Sequence, residues 1–125
     1  PLDLGFGHCR LQVARPAGSE FSPDGSSTVR VASKYARVAA QHFLGRGLSV
    51  EVVKLAGSVE IAPGLGLADC IVDVVETGRT LEENGLEVIE TVAESSARLV
   101  VNRASFHARR EEVARLVETL RRALP

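Results

Sequence analysis

Short apolar blocks of strand length alternate along this chain with stretches whose apolar residues recur at helical spacing, and glycine, proline or serine breaks separate them. Cys9 to Ala14, Val29 to Ala32, Ser49 to Leu55, Cys70 to Val75, Leu86 to Thr91 and Ala97 to Asn102 predict strands. Tyr35 to Leu44 predicts a helix with Val38, Ala39, His42 and Phe43 on one face, stopped by Gly45 and Gly47. A second helix is expected from Val59 to about Leu65, after a Gly57 turn and with Ser58 as its cap. A short helical segment leads from Gly78 to Asn84, and a last helix, capped by Ser105, carries Val113, Leu116, Val117, Leu120 and Leu124 as an apolar stripe. The Pro/Gly/Ser-rich stretch from Pro16 to Ser27 has no apolar period and predicts a mobile loop. The chain has no internal repeat.

Strands alternating with helices predict an α/β fold, a mostly parallel sheet flanked by helices. In such sheets ligands bind outside the carboxyl ends of the strands. Three segments end there: Ser33-Lys34, Gly57-Ser58-Val59-Glu60, and Thr77 to Thr80.

The third segment carries the clearest chemistry. In IVDVVETGRTL, Ile71 to Leu81, apolar residues flank Asp73 and the run breaks at Thr77-Gly78. Gly78 lets the backbone approach a ligand closely, Thr77 and Thr80 offer hydroxyls, and the N–H groups of a starting helix point at an anion. Asp73 and Glu76 would repel a phosphate but can accept hydrogen bonds from the two hydroxyls of a ribose. Acid for ribose and amides for phosphate suggest a phosphoribosyl site. A strand, a Thr-Gly turn and a helix also occur without any ligand, and Asp73 could instead pair with Lys34 or Arg79. Lys34 is either a phosphate-reaching residue or a solvated one; Glu60 either meets ligand or complements the positive end of its helix; Arg79 is auxiliary. His8, His42 and His107 stand near no suggestive partner and are read as structural, with His42 half-buried.

Composition narrows the class. The 125 residues are 45% apolar and 25% charged, enough for one soluble domain with a core, and the net charge of −1 with dispersed basic residues argues against nucleic-acid binding. No run approaches the ~20 apolar residues of a membrane span, and no signal-peptide layout is present, so a cytoplasmic location is expected. Cys9 and Cys70 lie apart in apolar stretches and read as reduced thiols, with no metal site.

The spacing Glu60, five residues, Gly66, Ala68, Ile71, Asp73, Val74, Thr77, Gly78, Thr80, Leu81 resembles the signature of the ATP phosphoribosyltransferases, which open histidine biosynthesis. LDLGFGHCRL near the start, VRVASKY at Val29 to Tyr35, KLAGSVEIAP at Lys54 to Pro63 and SSARLVVNRASF at Ser95 to Phe106 are similar to family segments in the same order, so the resemblance covers nearly the whole chain. It implies attack of N1 of the adenine of ATP on C1 of phosphoribosyl pyrophosphate, releasing pyrophosphate and giving phosphoribosyl-ATP. Positioning dominates such a displacement, so no catalytic residue is assigned; Mg²⁺ is expected on the substrate's pyrophosphate rather than in a protein cage. The substrate-binding set is Ser33, Lys34, Glu60, Asp73, Glu76, Thr77, Gly78, Arg79 and Thr80.

The resemblance also implies one lobe of a two-lobed fold similar to type II periplasmic binding proteins. Residues 1–96 would form the second, phosphoribosyl-pyrophosphate-binding lobe with a hinge strand, and 97–125 a return strand and helix of an otherwise missing first lobe. The chain opens on Pro1 without Met, in a segment that lies mid-chain in the family, so an N-terminal half is expected to be absent and the chain alone inactive. Its end at Pro125 resembles the short form, which implies a separate regulatory subunit similar to histidyl-tRNA synthetase and a hetero-octamer. Two rival expectations are a non-catalytic solute-binding lobe and a different phosphoribosyltransferase.

Overall fold

The computed structural model describes residues 2–24 and 27–124. Gly25 and Ser26 of the expected loop, and the ends Pro1 and Pro125, lie outside the described residues. In chain order the elements are β1 (Leu2–Asp3), β2 (Cys9–Pro16), β3 (Val29–Ser33), α1 (Ala36–Leu44), β4 (Val50–Lys54), two 3₁₀ turns (Val59–Ile61 and Pro63–Leu65), β5 (Cys70–Val75), α2 (Arg79–Glu83), β6 (Leu86–Ser95), β7 (Arg98–Leu99), α3 (Arg103–Ala108) and α4 (Arg110–Ala123). They divide into two compact units, Arg10–Glu94 and Pro1–Cys9 with Ser95–Pro125.

In the first unit five strands lie in the order β4-β3-β5-β2-β6. β3 runs parallel to both β4 and β5, whereas β2 runs antiparallel to β5, so the fold is α/β with a mixed sheet. Alternation along the strands sends side chains to opposite faces. On one face Val13, Val31, Cys70 and Val72 meet Ala39 and Phe43 of α1; on the other Ala14, Ala32 and Ile71 meet Val59, Ala62 and Leu81. A sheet covered on both sides explains why Cys70, Ile71 and Val72 are consecutively apolar. Burial pushes the Cys70 thiol up to about 12, so it stays protonated, as a core thiol should. His42 is structural: its Nε2 lies 2.9 Å from Glu90 Oε1, and Arg46 donates to both oxygens of the same carboxylate.

Three local expectations change. The helix predicted from Val59 to Leu65 is two 3₁₀ turns. Pro63 lacks the N–H that an α-helix would need there, Gly64 and Gly66 disfavour a longer helix, and Ser58, at φ 54°, makes no side-chain cap. The expected mobile loop is tethered in its described part: Phe21 packs against the core, the Arg15 guanidinium donates to its carbonyl, and Asp24 pairs with Arg46 at 2.7 Å. The strand predicted from Ala97 to Asn102 shrinks to Arg98–Leu99, with Val100 and Val101 exposed.

In the second unit, β1 pairs antiparallel with β7, and Leu4 and Ala97 exchange backbone bonds with the opposing segment, which is why residues 1–9 go with the end of the chain. The last helical region starts earlier than expected and is broken at Arg109. Its cap is Asn102, whose Oδ1 accepts from the N–H groups of Ala104 (2.8 Å) and Ser105 (3.3 Å); Ser105 is itself capped. The helical stripe of α4 has no buried residue, Leu116 being 55% exposed, and with Leu99 and Phe106 it borders an apolar groove of about 370 Å³. Asn102→Ala should cost about 1 kcal/mol, the usual value of an N-cap, and raise hydrogen exchange at Ala104 and Ser105. Unchanged exchange at those two amides would show that the cap does not hold α3.

Candidate functional site

Strand register builds the site. Ser33 lies opposite Lys54 in the β3–β4 pair and opposite Val72 in the β3–β5 pair, so β3 and β4 end level with one another while β5 runs on to Val75. Immediately past that level come Lys34 after β3, Leu55 and the turn to Glu60 after β4, and Asp73 in β5. β5 runs on into Glu76, Thr77 and Gly78, and the segment from Asp73 to Leu81 lines a cleft of about 330 Å³.

Asp73 is half-buried, and among the described residues it makes no ion pair within 4 Å, neither with Lys34 nor with Arg79. Its Oδ1 accepts from the N–H of Val74 at 2.8 Å. Burial pushes its carboxyl above the ordinary carboxylate range; the Val74 bond opposes that, the Glu60 carboxylate adds to it, and the Lys34 ammonium pulls it back. Glu60 and Lys34 therefore each act on the Asp73 charge without being bonded to it. A carboxylate held partly desolvated and unpaired is disposed to accept hydroxyl donors.

The turn that follows is shaped by Gly78, whose φ of 81° is left-handed. The Arg79 N–H lies 3.4 Å from Thr77 Oγ1, and the first helical backbone bond runs from Glu82 N–H to the Gly78 carbonyl. The N–H groups ahead of it have no partner within the helix. Leu81, buried in the core, anchors the short α2, and Asn84 Nδ2 donates to the Thr80 carbonyl at 2.8 Å, closing its far end. The side chains of Glu76, Thr77, Arg79 and Thr80 are exposed around the cleft.

The other expected residues are placed unequally. Lys34 is exposed and follows Ser33 as Asp73 follows its register partner Val72, while Glu60 is half-buried on its 3₁₀ turn. A single 3₁₀ turn has little dipole to complement, so the helix-end account of Glu60 loses its basis. Ser33 is fully buried; its hydroxyl donates to the Val72 carbonyl (2.7 Å) and accepts from the Tyr35 N–H (2.9 Å), so it faces the protein and not the cleft. Two neighbours had not been singled out. Lys54 ends β4 exposed and level with Ser33, which only strand register reveals. Gln12 lies directly across from Asp73 on β2, nearly buried, and its amide donates to Thr91 Oγ1 at 3.1 Å. A lone amide inside the apolar run CRLQVA was the available signal for it.

Comparison with known proteins adds to this geometry. Residues 1–122 match the family ATP phosphoribosyltransferase. A protein of Rhizorhabdus wittichii described as ATP phosphoribosyltransferase is 52% identical over 126 residues, covering 99% of this chain and 57% of that protein. Among solved structures, a chain of the ATP phosphoribosyl transferase (HisG:HisZ) complex from Thermotoga maritima superposes with a TM-score of 0.86 at 36% identity, over 98% of this chain and 59% of that one. The L-cystine solute receptor of Neisseria gonorrhoeae, at 12% identity and a TM-score of 0.57 over 86% of this chain and 49% of its own, shares the fold alone. This chain spans little more than half the length of the relatives it matches.

Proposed function

Because this chain belongs to the ATP phosphoribosyltransferase family, we propose that its level strand edge binds phosphoribosyl pyrophosphate for transfer of the phosphoribosyl group to N1 of ATP, the first step of histidine biosynthesis. The observation that carries the reading is the half-buried Asp73, without an ion pair among the described residues, in the strand that leads into the left-handed Gly78 turn. In it, Asp73 and Glu76 accept from the ribose hydroxyls. Thr77, Gly78, Arg79 and Thr80 hold the 5′-phosphate, the backbone N–H groups of the turn doing most of the work because they are fixed before the ligand arrives. Lys34, with Glu60 nearby, lies where pyrophosphate oxygens would extend past β3.

The chemistry asks for little else. When C1 is attacked by N1 of adenine, the C1–O bond to pyrophosphate breaks, and both electrons leave with the pyrophosphate oxygen. Rigid holding of the sugar phosphate and neutralisation of the leaving group lower that barrier without a protein nucleophile. Mg²⁺ borne on the pyrophosphate would supply part of the neutralising charge. The carboxylates of Asp73, Glu60 and Glu76 are hard oxygen donors of the kind that accept hydrogen bonds from a hydrated Mg²⁺, so the residues fit such a visitor.

Residues 1–96 serve, in this proposal, as the phosphoribosyl-pyrophosphate-binding lobe, and 97–125 as the return strand and helix of a first lobe that covers the α4 stripe. Without that lobe the chain would be inactive. The protein is cytoplasmic and works with a separate regulatory subunit similar to histidyl-tRNA synthetase; the likeness to a chain of a HisG:HisZ complex supports that partner. Among the described residues no helix is long and apolar enough to cross a membrane. Family membership removes the reading as a different phosphoribosyltransferase, and the solute receptor supports only a fold.

Asp73→Asn separates binding from structure. Burial raises the Asp73 carboxyl above its ordinary 3.8, so the folded state holds that proton more tightly than the unfolded state. The resulting stabilisation is complete below about pH 3.8 and is lost as pH rises through the raised folded value. At pH 7 the ionised carboxylate is thus a net cost, and the Asn variant should melt at or above the parent temperature, the two converging in acid. Affinity for phosphoribosyl pyrophosphate should nevertheless fall by about 1–2 kcal/mol for each charge-assisted bond weakened. Normal affinity with a lower melting temperature would make Asp73 a structural residue.

A further inference from the structure

Among the described residues Ser33 is fully buried at the strand edge, and its bonds reach β5, the turn into α1 and the end of β4. Its hydroxyl donates to the Val72 carbonyl on β5 at 2.7 Å. The same oxygen accepts from the N–H of Tyr35, two residues on, at 2.9 Å. Its own carbonyl accepts from the Leu55 N–H at the end of β4, at 3.1 Å. Ser33 is also the last residue of β3 in register with both neighbouring strands. Past that point the backbone must leave the sheet to enter α1, and a strand that turns away gives up its ladder bonds. Here the side chain supplies a bond to β5 in place of the backbone, while also fastening the first turn past the strand.

A strand end with a valine in this position would satisfy the apolar surroundings better, because Val is at home in a buried strand and a buried hydroxyl is tolerated only when bonded. The choice of serine fits a position whose task is geometric. Lys34, exposed, stands between Ser33 and the Tyr35 N–H that Ser33 holds, and it follows Ser33 as Asp73 follows Val72, the register partner of Ser33. One hydroxyl thus ties the peptide before Asp73 to the turn that contains Lys34.

We propose that Ser33 is a positioning residue of the phosphoribosyl site, setting the Lys34 ammonium against Asp73 so that the two receive pyrophosphate and ribose in fixed relation. The proposal rests on the reading that Lys34 meets the substrate's pyrophosphate. Ser33 does not touch substrate; it acts through Lys34, and its effect must disappear when Lys34 is gone.

The experiment is a double-mutant cycle on the protein as its gene encodes it, with phosphoribosyl pyrophosphate affinity read by titration calorimetry and folding by thermal melting. Ser33→Ala should weaken affinity roughly tenfold, the scale of one net hydrogen bond. In the Lys34→Ala background the same change should cost less than about twofold, since independent sites would add and coupled ones do not. Should Ser33→Ala fail to fold, Ser33→Cys keeps the volume while weakening both hydroxyl bonds, and the same cycle is run with it. Equal losses in the two backgrounds, or no loss in the parent, would overturn the positioning role. If Lys34→Ala alone leaves affinity unchanged, Lys34 is not a ligand, and it is the underlying reading that fails, carrying this proposal with it.

Discussion

Gly78→Val should weaken binding of phosphoribosyl pyrophosphate by roughly 2–4 kcal/mol, the loss of a close backbone approach together with several charge-assisted hydrogen bonds. A Cβ at this position meets only Val75 Cγ1, at 4.0 Å, so a clash is not what the substitution brings. What it brings is backbone strain. At φ 81° a β-branched residue is strongly disfavoured, and the turn should relax toward negative φ, displacing the start of α2 and the Arg79–Thr77 bond with it. A matched control is at hand in Gly18→Val, at φ 79° with nothing within 4 Å, in the turn after β2 at the opposite sheet edge. Both variants should lose comparable stability, whereas calorimetry should show lost affinity for Gly78→Val alone. Equal affinities in the two would remove the turn from the proposed site.

Phe43→Ala should destabilise the Arg10–Glu94 unit by about 3–5 kcal/mol, the range for emptying a fully buried aromatic site. Phe43 has no exposed surface, packs with Val13, Val31, Cys70 and Val72, and meets the His42 ring edge-on at a centroid distance of 5.1 Å. Since a domain's whole stability is about 5–15 kcal/mol, that loss is a large fraction of it. α1 would be loosened from the sheet, and with it the turn that carries Lys34. Urea unfolding with an unchanged slope and a midpoint shift worth under about 1 kcal/mol would show that the α1 face is not the core of this unit. By contrast Leu116→Ala, on the uncovered stripe of α4, should change stability by no more than about 0.5 kcal/mol, as surface substitutions do.

Much of the fold and of the site follows from residues close together in the chain. β5 appears at the predicted residues, and β3, β4 and α1 within a residue or two, because period and glycine stops are local quantities. The turn at Gly78 is equally local, since the positive φ, the Thr77 hydroxyl and the start of α2 fall within three residues. Periodicity erred where a nearby residue outweighed it: Pro63 turned a predicted helix into 3₁₀ turns, and Asn102 took the cap assigned to Ser105.

Tertiary structure alone decided what the distant partners do. The antiparallel entry of β2 beside β5, the appearance of Lys54 at the strand edge, and the pairing of Gln12 with Asp73 are matters of sheet order, which a run of alternating apolar blocks does not encode. Ser33 and Asp73 show the division most plainly. Both looked like ligand contacts from their places at strand ends, yet one hydroxyl is consumed by a carbonyl 39 residues away while the carboxylate is left half-buried, without an ion-pair partner among the described residues. Residue chemistry states which bonds a side chain can make, and its spacing states which element it sits on. Which of those bonds is made inside the protein, and which is left for a ligand, depends on the atoms that folding brings alongside it.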